Sequence, residues 1–124
     1  MRKVLLLSVI FGLLFVGLNS PLEASKKAKT YKGGQIVSLD AVIKGEKDLQ
    51  LTKDNAKKLV EEGSPLVFLY KKKIYFVLHE DGSFAFKKIS NYAHLSKVAI
   101  TGDMKRSKLG RIDYIIMQDI ESFE

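Results

Sequence analysis

Two short runs, Leu66-Val67-Phe68-Leu69-Tyr70 and Ile74-Tyr75-Phe76-Val77-Leu78-His79, flank Lys71-Lys72-Lys73. Both are rich in β-branched and aromatic residues, which suit a pleated, half-buried surface, and both are strand-length rather than helix-length. They predict a tight hairpin with a basic tip. The unbroken apolarity of Leu66 to Leu69 predicts burial on both of its faces. Glu80-Asp81-Gly82-Ser83 predicts another reversal, because Asp-Gly supplies the positive φ that a tight turn demands. A chain organised around this hairpin is expected to be mainly β.

The flanking segments extend the pattern. From Gln35 to Ile43, residues Val37, Leu39, Ala41 and Ile43 share one parity while Ser38 and Asp40 fall on the other, which predicts a first strand with one buried face. Thr52 is placed to cap a helix reaching about Glu62, with Ala56, Leu59 and Val60 as its apolar stripe and Gly63 and Pro65 as its stop. Phe84 and Phe86 predict a short strand. Ile89, Tyr92, Ala93 and Leu95 predict a helix of a turn or two between Lys87 and Ser96. Val98 to Met104 and Arg111 to Ile120 predict a closing hairpin across Lys105-Arg106-Ser107-Lys108-Leu109-Gly110. The expected fold is α+β: a five-stranded OB-like antiparallel barrel with a helical insert, Glu46 to Ser64, between its first two strands. Closure would remove edges that so short a chain could not otherwise cover.

Residues Gly34-Gln35-Ile36-Val37-Ser38-Leu39, Gly63-Ser64-Pro65-Leu66-Val67, Lys73-Ile74-Tyr75-Phe76, Lys97-Val98-Ala99-Ile100-Thr101-Gly102 and Gln118-Asp119-Ile120-Glu121 resemble small exported bacterial OB-fold proteins. The resemblance implies the barrel and carries no catalytic residue across.

The amino terminus predicts an address. Arg2 and Lys3 precede an apolar run from Val4 to Leu18, and polar residues follow to Ala24, the order of a secretory signal peptide. The run is about 15 residues, short of the roughly 20 that a membrane-crossing helix needs. Residues 1–24 are therefore expected to be cleaved after Ala24. A flexible basic leader over 25–33 and a barrel domain over 34–124 would remain, in the periplasm or outside the cell. Leu22 is larger than the ideal residue there. An uncleaved segment would leave an anchored domain, the only case in which membrane contact is expected.

Chemistry is sparse. With no cysteine, disulfides, thiolate metal sites and thiol catalysis are excluded. His79 and His94 lie in different elements without ligand partners at helical spacing, so no metal or other cofactor is expected, and His94 is read as half-buried packing. Ser64, Ser83 and Ser90 are read as turn formers, and Glu80-Asp81 as a solvated turn, so no catalysis is expected. The phenylalanines are read as core. What remains is charge. The chain carries +7, which draws anions without reading their sequence. Candidate binding residues are Lys71, Lys72, Lys73, Lys87, Lys88, Lys105, Arg106, Lys108 and Arg111, with Tyr75 as a stacking face. The expected function is an exported binding module whose basic loops meet an anionic or protein partner of the cell envelope. Nucleic acid is a poor physiological partner for an exported chain. A membrane-tethered structural accessory protein is the alternative, and an enzyme of unknown type the third.

Overall fold

Strand β1 (Lys29–Ser38) leads into helices α1 (Leu39–Ile43) and α2 (Lys53–Glu61). Strands β2 (Leu66–Tyr70) and β3 (Lys73–Leu78), helix α3 (Phe86–Ser90), and strands β4 (Val98–Arg106) and β5 (Asp113–Ser122) follow. The computed structural model describes residues 28–123, so the predicted signal peptide and residues 25–27 of the predicted leader lie outside the described residues.

The strands close into a barrel in the order β1-β2-β3-β5-β4, the Greek-key plan of an OB-like fold. The wholly antiparallel expectation fails at one junction. β3 and β5 run parallel, with Phe76 opposite Tyr114 and Leu78 opposite Ile116. The cause is connectivity: α3 and β4 intervene, and β5, antiparallel to β4, arrives in the direction of β3.

The first strand also begins and ends earlier than its parity predicts. Lys29 to Lys32 pair with β4, a bulge follows between Lys32 and Gly34, and Gln35 to Ser38 pair with β2. Lys29 and Lys32 are thus strand residues rather than leader. Gly33, at φ 88°, takes the left-handed conformation that lets the strand bend from one partner to the other. At its far end, Ser38 accepts a hydrogen bond from the Ala41 amide at 3.3 Å and caps α1. Leu39, Ala41 and Ile43 are therefore helical. Period-two reading fails here because Ile36, Val37 and Ser38 are consecutive and all buried.

Helix α2 forms as its sequence predicts. Thr52 accepts from the Asn55 amide at 3.1 Å, Ala56 is buried, and Leu59 and Val60 pack on the core. The predicted strand at Phe84 shrinks to a single bridge to Leu78, and Phe86 opens α3 instead.

Strand direction gives the barrel two different ends. Ser38, Leu66, Leu78, Val98 and Ser122 lie at one, where α1, α2 and α3 join the strands. Ala56, Ala85, Ile89 and Ala93 there extend the core formed by Ile36, Phe68, Val77, Ile100 and Ile115. Tyr70, Lys73, Arg106 and Asp113 lie at the other, where no helix joins the described strands. Among the described residues, two short loops, 71–72 and 107–112, border this open end.

Candidate functional site

Tyr70 pairs with Lys73, which leaves Lys71 and Lys72 as a two-residue turn. Their φ values are 50° and 67°, the sense that a type I′ hairpin requires and that Asn-Gly would satisfy at less cost. Arg111, at φ 52° in the β4–β5 loop, is the only other non-glycine at positive φ among the described residues. Two of these strained cations, Lys72 and Arg111, line one concavity of about 430 Å³ with Lys73, Ile74, Phe76, Ile112 and Asp113. Loops about 40 residues apart in the chain thus bring three positive charges to one wall.

Lysines at a left-handed turn carry a measurable penalty. Replacing Lys71-Lys72 with Asn-Gly is expected to raise stability by about 1–2 kcal/mol, the strain of left-handed L-residues. The same change should weaken retention on a polyanion. Urea midpoints and salt elution, read on one preparation, check that the two effects have opposite signs.

The other candidate cations divide. Arg106 donates Nε–H to Asp113 at 2.8 Å across the β4–β5 register, and Lys105 pairs with Asp103 at 3.2 Å. Their charges are largely answered by carboxylates, and the Arg106 bond is what chiefly holds the Asp113 carboxyl below its ordinary range. Lys71 lies 5.3 Å from the centre of the Tyr70 ring, and Lys108 is exposed in the β4–β5 loop. Lys87 and Lys88 do not join them. Both belong to α3 at the helix-bearing end, and Lys87 shares a separate groove with Lys57 and Glu61.

Tyr75 does not offer a stacking face. It points into the barrel and is 7% exposed, because Tyr75 and Val77 take the inward positions of β3. Phe76 and Leu78 take the other face. Beside Tyr75 at the open end, the Tyr31 and Tyr70 rings meet edge to face at 5.6 Å. Burial, followed by the Asp113 charge, pushes the Tyr75 hydroxyl above its ordinary value, and burial with Asp103 does the same to Tyr31. A raised phenol pKa favours the native state below the unfolded-chain value near pH 10 and withdraws that contribution as pH climbs past it. Stability should therefore fall above about pH 10, and ultraviolet titration should show late-ionising phenols. Tyr75→Phe should remove one of them.

The phenylalanines also divide. Phe68 is core, but Phe84 is 56% exposed and stacks on Phe86 with ring centres 4.9 Å apart. Phe76, Leu78, Phe84, Ile112 and Tyr114, with Gly82 and Ser107, line a second concavity of about 260 Å³. Phe76 and Ile112 belong to both concavities. The basic wall and the apolar floor are therefore contiguous across the outside of β3 and β5. Residue type alone could not find this floor, because it depends on the parallel junction; the outward parity of Phe76 and Leu78 was its one legible sign.

Imidazole chemistry gains nothing from the fold. His79 sits in a turn where its amide donates to the Ser83 carbonyl at 2.7 Å. His94 is exposed rather than half-buried, because the turns after α3 direct Tyr92, Ala93 and Leu95 to the core instead. Among the described residues no three His, Asp or Glu side chains gather as a metal site would require.

Compared with known proteins, the chain matches no family model, no curated protein and no solved structure.

Proposed function

We propose that this chain is a non-catalytic binding module of the cell envelope, which holds an anionic ligand between Lys72, Lys73 and Arg111. One observation carries the reading: two separate loops bring these cations to a single concavity, two of them on left-handed backbone. The two-residue hairpin imposes this conformation on whatever stands there and Asn-Gly would meet it at less cost, so cations kept on left-handed backbone at a concave site are a reason to look for function there. The excess of positive charge would raise the local concentration of an anion before contact. Action outside the cytoplasm rests on Arg2, Lys3 and the apolar run to Leu18.

Salt elution from an immobilised heparin-like polyanion tests it. Lys72→Ser/Lys73→Ser/Arg111→Ser should elute at clearly lower salt than the parent chain, whereas the charge-matched Lys57→Ser/Lys87→Ser/Lys88→Ser, at the helix-bearing end, should shift little. Equal shifts for the two variants would mean that only net charge matters, and the reading would fail.

A further inference from the structure

The continuity of the basic wall with the apolar floor points to one class of ligand, and we propose that the site takes a single-chain anionic amphiphile of the fatty-acid type. The inference rests on the anion-binding reading above and narrows it. Lys72, Lys73 and Arg111 would receive the charged head, and Phe76, Ile112 and Phe84 the tail. Phe76 and Ile112 lie where the two concavities meet, so a head on the cations places its tail directly on the floor.

The floor argues against an all-polar ligand. Ser107 and Tyr114 provide its only side-chain hydroxyls, and neither a charged side chain nor a side-chain amide lines it. A sugar ring or nucleotide backbone placed there would lose its bonds to water without replacement. An apolar tail loses nothing and covers Phe84 and Ile112, which are 56% and 49% exposed. The head end is equally selective. Asp113 borders it but is engaged by Arg106 at 2.8 Å, which leaves Lys72, Lys73 and Arg111 in excess over that carboxylate. The run of β3 from Lys73 to Leu78 spans about 17 Å at strand rise, enough for an extended tail of medium length.

Residue-resolved amide shifts of the full chain, titrated below micelle formation with decanoate, decanol and inorganic phosphate, provide the test. Decanoate should move Lys72, Phe76 and Ile112 with one common dissociation constant. That constant should be at least tenfold weaker in Ile112→Asp and in Lys72→Ser/Arg111→Ser. Ile112 is half exposed, so its replacement leaves the core intact, and Phe84→Ser gives a second reading at the far end of the floor. Decanol and phosphate should each bind at least tenfold more weakly than decanoate. Decanol binding as tightly as decanoate, absence of shifts at these amides, or indifference to Ile112→Asp and Phe84→Ser would overturn the inference. If decanoate fails while Lys72→Ser/Lys73→Ser/Arg111→Ser still elutes early from the polyanion, the amphiphile falls and the anion-binding module stands.

Discussion

Phe68→Ala should cost about 3–5 kcal/mol, the range for truncating a sealed core aromatic. Phe68 is fully buried, lies opposite Ile36 on β1 and Tyr75 on β3, and stacks on Tyr70 with ring centres 5.7 Å apart. The substitution removes that stack together with the buried ring and leaves a cavity inside the barrel. Small domains hold only about 5–15 kcal/mol in total, so the variant should be partly unfolded at 37 °C. Its urea midpoint should drop by about 2 M. A loss below about 1 kcal/mol would place the ring outside the sealed interior. Gly34 supplies a coupled check, because a Cβ there would strike the Phe68 ring and stand 2.9 Å from the Leu69 carbonyl oxygen. Gly34→Ala should therefore cost less on a Phe68→Leu background than on the parent, although the carbonyl contact keeps the relief partial.

Gly102→Val should cost about 3 kcal/mol, for a different reason. Gly102 sits at the bulge between β4 and β5, where a Cβ would press on the Ile116 carbonyl and stand 2.9 Å from the Ile115 side chain. Backbone, unlike the end of a flexible side chain, cannot swing aside. The β4–β5 ladder would have to open, and it is the longest in the barrel. Thermal unfolding followed by far-ultraviolet circular dichroism checks the size of the loss, and amide exchange its location. Unchanged protection from Ile100 to Asp119 would show that the bulge has room.

The sequence was most legible where two local signals agreed. Thr52, the stripe of Ala56, Leu59 and Val60, and Gly63 agree on α2, and the helix forms within those bounds. The hairpin at Lys71 to Lys73 was equally plain, because strand-forming runs flank an abrupt run of charge. Legibility failed where burial came from elements distant in the chain. Ser38 could be read as an outward strand residue or a helix cap, and only the covering of both faces around it decides for the cap. Tyr75 reads as a stacking face because Lys71 to Lys73 stand shortly before it in the sequence, whereas its neighbours in space are Phe68 and the open-end tyrosines. For the site, residue type named Lys72, Lys73 and Arg111 but equally named Lys87 and Lys88. No local signal separates them, because β3 runs away from its basic turn and delivers α3 to the opposite end.

Thr30 and Thr101, 71 positions apart, join hydroxyl to hydroxyl at 2.7 Å across the seam where β1 meets β4. That seam cannot form until the chain beyond α3 has been supplied, and the entropy of closing so long a loop is spent before its contacts repay any of it. Refolding should accordingly be slow for a domain of this size, on the millisecond-to-second scale of other non-local β topologies. A growing chain released before β4 would hold the amino-terminal strand without the mate it needs.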